Sequence, residues 1–411
     1  MRRQVWSAWV ALGSAVLSMG LAAGADAPAQ PWRVGTPIVT YWAGPDLTDG
    51  VARQMAEGGF NLVWCGEQHL EVARRHGLRA QLHHPLLTPA SLDSTNQLAA
   101  LNTLIERVRR HPALYSYFIT DEPSASAFPG LGRLVAHLRE RDPAHLAYIN
   151  LFPTYASNEQ LGTKGDTVTA YREHVRQFVE VVRPALISYD HYQFAVNGDG
   201  KEYFLNLAMI RRAAQEAGVP FLNIVQACTW TPGMRVPQGN ELRYLVYTTA
   251  AYGAQGLSYY VYCHPGHTGG MALADGTPTP LYEAARVLNR DFVAMAAELQ
   301  PLRSLAVGHT VLREPGCEPV AGDSPLRVEA SGPEGGARGF VVGLFGRERS
   351  ATHAVVVNLD YNREVTATVT GPANLETFQP ATAAWAPAKK SRMEVRFAPG
   401  GGRLVRWAGQ P

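Results

Sequence analysis

Leu114-Tyr115-Ser116-Tyr117-Phe118-Ile119-Thr120-Asp121-Glu122-Pro123 is an apolar, aromatic-rich run that stops on two adjacent acids. Its first seven residues suit a buried strand. The stretch before it, Ser94 to Arg110, repeats apolar residues at helical spacing through Leu98, Leu101, Leu104, Ile105 and Val108. The stretch after it, Pro129 to Arg141, also reads as a helix. One strand between two helices is the unit from which the rest of the chain can be read outward.

Upstream, strands are expected at Pro37 to Trp42, Asn61 to Cys65 and Leu78 to His83, with helices at Thr48 to Glu57 and Leu70 to His76. Downstream they are expected at His145 to Asn150, Ala185 to Asp190, Phe221 to Gln226 and Gly256 to Tyr262. Helices are expected at Thr167 to Val182, Tyr203 to Ala217, Glu241 to Tyr252 and Leu281 to Leu299. Eight strand–helix units over about 270 residues fit a (β/α)8 barrel, which needs ~250. An open doubly wound sheet usually carries a glycine-rich phosphate turn after its first strand. Here that position reads Tyr41-Trp42-Ala43-Gly44-Pro45-Asp46, with no G-x-G-x-x-G.

Beyond Pro301 the pattern changes to short alternating strands between glycine-rich turns, at Gly339 to Phe345, His353 to Asn358, Val365 to Val369, Arg392 to Phe397 and Arg403 to Trp407. No long helix intervenes, as in a small antiparallel β-sandwich. At the other end, Met1-Arg2-Arg3 precedes an apolar run, Val10 to Ala23, and small residues with A-x-A sites ending at Ala25 and Ala27. That is the pattern of a cleaved secretory signal. The expected organisation is a signal at 1–27, a barrel at 28–303 and an all-β sandwich at 304–411, secreted or periplasmic, with no membrane span after cleavage. The formal charge of +2 gives no field that would draw nucleic acid. Cys65, Cys228, Cys263 and Cys317 form no C-x-x-C pair and are expected as free thiols in the barrel rather than as a metal knuckle.

Barrel active sites form where strands end. The expected strand ends are Tyr41 and Trp42, Cys65 and Glu67, His83 and His84, Asp121 and Glu122, Asn150, Asp190 and His191, Gln226, and Tyr262 to His264. This is a polar and aromatic ring suited to a sugar. In Asp121-Glu122 repulsion and partial burial should raise one pKa, which a proton donor to a sugar oxygen requires. Trp42, Tyr155, Tyr192, Trp230 and Tyr260 are expected to include stacking platforms. Tyr41, Asp121, Asn150 and His191 complete the expected substrate contacts.

The strand-four D-E-P, the run Tyr189-Asp190-His191-Tyr192 and the turn Tyr252-Gly253-Ala254-Gln255-Gly256 resemble clan A glycoside hydrolases, in particular the group near family 42 β-galactosidases and family 158 endo-β-1,3-glucanases. The resemblance covers the chain after the signal and implies an oligo- or polysaccharide substrate; no cofactor is expected, and with no H-x-H pair on strand one and His83 and His84 on opposite faces no metal site is expected either. By position, Glu122 matches that clan's acid/base glutamate. The clan's nucleophile, a glutamate at the end of strand seven, is replaced here by Gln226, and a neutral amide cannot form a glycosyl ester. Asp190 is the expected substitute and Glu241 the reserve, with Gln226 holding a sugar hydroxyl or a water. The short side chain of Asp190 is expected to leave a wide gap that favours inversion. Two other readings stand beside this one: a carbohydrate-binding protein on a catalytically decayed barrel, and a metal-dependent hydrolase or lyase using the histidines near the strand ends.

Overall fold

The computed structural model describes residues 37–331, 338–387 and 390–407; the expected signal segment lies outside them. Eight parallel strands form one sheet: β1 (Ile38–Trp42), β2 (Leu62–Cys65), β3 (Arg79–Leu82), β4 (Leu114–Asp121), β5 (Leu146–Leu151), β6 (Ile187–His191), β7 (Phe221–Gln226) and β8 (Gly256–Tyr260). Their order around the sheet is β1-β8-β7-β6-β5-β4-β3-β2. Asn61 bridges the remaining seam: its N–H donates to Val39 O at 3.0 Å, and its Oδ1 accepts from Val39 N at 2.9 Å. A side chain thus supplies the ladder where β1 and β2 diverge, and the fold is a (β/α)8 barrel.

Eight helices surround it: α1 (Asp49–Glu57), α2 (Leu70–Arg75), α3 (Thr95–Val108), α4 (Phe128–Arg141), α5 (Thr167–Gln177), α6 (Tyr203–Ala217), α7 (Gly239–Ala251) and α8 (Pro280–Leu299). Their starts follow capping rules. Thr48, Ser94, Asp166 and Thr279 each accept a backbone N–H from the first turn. Inside the barrel, Ile38, Leu62, Leu146, Tyr148, Leu186, Leu222 and Ile224 form an apolar plug. Asn150, Ser188 and Asp190 are buried polar residues close to the strands' C-terminal ends, so the mouth is polar.

The chain then builds two antiparallel sheets. The larger contains β9 (Arg303–His309), β11 (Phe340–Arg347), β12 (Ser350–Asn358), β14 (Leu375–Gln379), β15 (Ala384–Ala386) and β17 (Gly402–Trp407). The smaller contains β10 (Arg327–Ala330), β13 (Val365–Thr370) and β16 (Arg392–Phe397). Alternation along β11 divides its residues: Phe340, Val342 and Leu344 fill the core between the sheets, whereas Val341 and Phe345 join the barrel's core. The sandwich therefore packs on the barrel as a third layer. Helix α7 lies beneath it, buried from Glu241 through Leu242 and from Tyr244 to Ala251. Gly343 permits the approach, since a Cβ there would fall 1.9 Å from Ala251 O.

Candidate active site

Strand β4 ends irregularly. Its register against β5 slips between Phe118 and Thr120, so that Asp121 pairs with Asn150. Glu122 then adopts a φ of 43°, and its N–H donates to Asn150 O at 2.9 Å. Left-handed backbone costs a non-glycine residue roughly 1–2 kcal/mol and is found where a side chain must be re-aimed for function. In a regular strand, neighbours point to opposite faces. The bulge and the turn together bring both acids to the mouth.

Asn150 is the hub of what they meet. Its Nδ2 donates to Asp121 Oδ1 at 3.0 Å and to Asp190 Oδ1 at 2.8 Å. Its Oδ1 accepts from Ser188 Oγ at 2.9 Å, and Ser188 Oγ lies 2.7 Å from Tyr148 OH. The two hydrogens of one amide nitrogen diverge by ~120°, which sets the two acceptor oxygens on the order of 5 Å apart. Glu122 lies near enough to Asp190 for the two carboxyls to act on each other directly.

Burial, then the charge of Asp121, pushes Glu122 up to about 7, against a smaller downward pull from the hydrogen bond with Asp190. Asp121 is the most open of the three, at the rim. The protein crowded around its inner side still pushes it up to about 6, against the bonds from Asn150 and from the Glu122 N–H. Asp190, only 2% exposed, is held well above the usual carboxylate range by burial and then by the charges of Glu122 and Asp121.

Aromatic rings line two sides of the mouth. Trp42 packs edge-on to Trp64 at 4.6 Å and to Phe118 at 5.5 Å. On the other side Tyr192, Trp230 and Tyr260 form a triangle with centroids 4.8 to 5.1 Å apart. His267 lies 30° from parallel to Trp230 and 3.1 Å from Tyr260 OH. Tyr155, half exposed, accepts from Tyr192 N at 3.3 Å. Trp64, Phe118 and His267 were not among the expected site residues. The signal for Trp64 was strand parity: it faces inward with Trp42, one residue before the outward-facing Cys65.

Four expected site residues face elsewhere. Tyr41 points away from the mouth into the strand–helix layer, beside Phe60 and Tyr262. His191 is buried, with Nδ1 3.0 Å from Asn206 Oδ1, and burial pushes it down to about 4. Gln226 has its amide committed: Oε1 accepts from Phe194 N at 2.8 Å, and Nε2 donates to Phe194 O at 3.0 Å and Arg235 O at 2.8 Å. It staples the loops after β6 and β7 together and has no atom left for a sugar or a water. Glu241 accepts two bonds from Arg235, at 2.6 and 2.8 Å, and caps α7 through Gln238 N at 2.7 Å. It faces a cleft of about 430 Å³ shared with Arg338 and Tyr361 of the sandwich, so the loop back over the barrel that would bring it to Glu122 is not made.

All four cysteines are free. Among the described residues, no three His, Cys, Asp or Glu side chains converge as metal ligands would, and no helix is long and apolar enough to cross a membrane.

No family model and no curated protein matches the chain. Solved structures do. The chain is similar in fold to a solved glycoside hydrolase. The two share 12% sequence identity with a TM-score of 0.53, over 92% of this chain and 94% of that one. A family 30 subfamily 8 xylanase from Clostridium acetobutylicum is also similar, at 11% identity and a TM-score of 0.46, over 93% of this chain and 98% of that one. So is a β-galactosidase from Marinomonas ef1, at 12% identity and a TM-score of 0.45, over 64% of this chain and 60% of that one. What the first of these likenesses establishes is the barrel and its companion sandwich.

Proposed function

We propose that this protein is an exported glycoside hydrolase that cleaves a β-linked oligo- or polysaccharide, with Glu122 as its proton donor. The observation that carries the reading is the convergence of three carboxyls at the barrel mouth: Asp121 and Asp190, both held by the Asn150 amide, and Glu122 turned in beside them. Such clustering opposes ionisation and costs folding free energy. A barrel that only bound sugar would gain nothing from it, which counts against the decayed-barrel reading. Kinship with the family 42 and family 158 groups, and the signal at 1–27, belong to the same proposal.

Glu122 protonates the leaving oxygen. Asp190 is the opposing carboxylate, oriented by Asn150, and the rings of Trp42, Trp230 and Tyr260 receive the sugar faces. Retaining glycosidases place their carboxyls ~5–5.5 Å apart and inverting ones ~6.5–9.5 Å. Glu122 acts directly on Asp190 and is adjacent to Asp121, which favours the shorter, retaining spacing for either partner. Exposure favours a second assignment, in which Asp121 attacks and Asp190 tunes the proton on Glu122. Purified protein should be assayed on a panel of aryl glycosides and β-glucans, with the first anomer followed by NMR. Azide added to Asp121→Gly and Asp190→Gly then separates the two assignments, because only the variant lacking the nucleophile forms a glycosyl azide. Absence of turnover across the panel would sink the hydrolase reading, and a first product of inverted configuration would sink retention.

A further inference from the structure

The aromatic wall at the mouth is held from the far side of the molecule. Tyr361, in the turn after β12, donates its hydroxyl to Asp199 Oδ2. Asp199 lies in the loop after β6, and its Oδ1 accepts from Arg235 Nη2 at 3.5 Å. The Arg235 guanidinium lies 4.9 Å over the Phe194 ring, and the edge of Tyr361 packs on that same ring at 5.9 Å. Arg235 N donates to Phe194 O at 3.1 Å, and Gln226 binds the backbone of both residues. One further backbone bond ties the loops, Val196 N to Gly233 O at 3.0 Å, and Thr229 Oγ1 to Met234 O at 2.9 Å braces the second loop internally. Phe194 follows Tyr192 by two residues, and Arg235 follows Trp230 by five.

We propose that Tyr361 is a positioning residue for substrate, a sandwich side chain that fixes the Tyr192–Trp230 wall through Asp199 and Arg235. This rests on the glycosidase reading for its consequence, though not for its geometry. Every link after the hydroxyl is an ion pair, a hydrogen bond or a ring contact between two loops that otherwise project from separate strands. Asp199, Phe194 and Arg235 spend their hydrogen bonds on one another, Tyr361, Gln226 and Glu241 rather than on the three acids. Loosening the loops should therefore weaken sugar stacking and leave the bond-breaking groups in place. Tyr361→Phe is the sharp probe, because it keeps the ring that packs on Phe194 and removes only the oxygen.

Two readouts are needed. Trp230 emission is obtained as the difference between spectra recorded with and without Trp230→Phe, once in the wild type and once in Tyr361→Phe. Kinetics are read on the best aryl glycoside or glucan of the panel. Tyr361→Phe should red-shift Trp230 emission and raise KM roughly fivefold to tenfold, the scale of one lost charge-assisted hydrogen bond acting through a loop, with kcat within about twofold. Asp199→Asn should do the same, and the double variant should be no worse than the worse single one, as expected of two links in one chain. An unchanged Trp230 spectrum overturns the proposal, as does a fall in kcat without a rise in KM. If the parent protein cleaves nothing, the glycosidase reading fails on its own, and the spectral shift still decides whether Tyr361 holds the wall.

Discussion

A glutamate in water is ionised at neutral pH, whereas Glu122, pushed up to about 7, is about half protonated there. A proton donor acts in its protonated form, so kcat/KM should fall as pH rises through about 7. Glu122→Gln should abolish that limb and cost roughly 10²–10⁴ in rate on substrates with poor leaving groups. A pH–rate profile of both proteins checks this, and an unshifted alkaline limb in the variant would assign it to another group. Asp190 gives a stability test. Its folded pKa lies well above the value in an unfolded chain, so its contribution to stability is full at low pH and is lost as pH rises toward the folded value. Asparagine mimics the protonated acid, since Oδ1 can still accept from Asn150 and Nδ2 can donate to Glu122. Asp190→Asn should therefore raise Tm at pH 8 more than at pH 4; an equal or opposite change would show that the proton is not held there. Sequence made the two acids at 121 and 122 conspicuous, because adjacent charges at the end of an apolar strand need a reason. It did not show that Asn150 binds two carboxyls at once, because that depends on a one-residue slip between β4 and β5.

Elements were easier to read than their faces. Strand β7 and helix α6 have the bounds expected from apolar periodicity, and most other barrel elements differ by a residue or two. Parity at the strand ends was not resolved, because Tyr41-Trp42 and Trp64-Cys65 are apolar on both faces, as parallel barrel strands are. The sandwich strands β10, β14 and β15 went unread for another reason: they are short, and their residues alternate weakly. Gln226 shows what tertiary structure adds, since its role depends on loops that meet it from two strands. Gln226→Leu would strand Phe194 N and Arg235 O and leave Phe194 O with only its bond from Arg235 N, and each unpaired buried group costs about 1–3 kcal/mol. A large drop in Tm with faster amide exchange at 192–196 and 229–235 is expected, and protection equal to wild type would contradict the staple. Trp230→Ala, by contrast, removes a ring that is 38% exposed. It should raise KM with little change in Tm, and a Tm loss as large as that of a core deletion would mean the ring is structural.

The barrel and the sandwich share a core. Val341, Phe345, Val355 and Val357 of the larger sheet belong to the barrel's hydrophobic cluster, and each such side chain contributes roughly 1.5–3 kcal/mol when fully buried. A chain ending near Leu302 should therefore aggregate, or fold only with detergent or a cover for α7. A soluble, monomeric truncation with wild-type activity would contradict this. Helix α7 carries no polar outer face because it was never meant to meet water. That has a consequence for biogenesis. On the ribosome, Ala251 is made 89 residues before Phe340, where the first large strand of its cover begins. At ~5–20 residues per second, the nascent barrel presents an uncovered, greasy helix for roughly 5–20 s. The growing chain is thus a client for whatever chaperone shields apolar surface during synthesis, and a stall between Leu299 and Phe340 would leave a complete barrel that cannot close its own exterior.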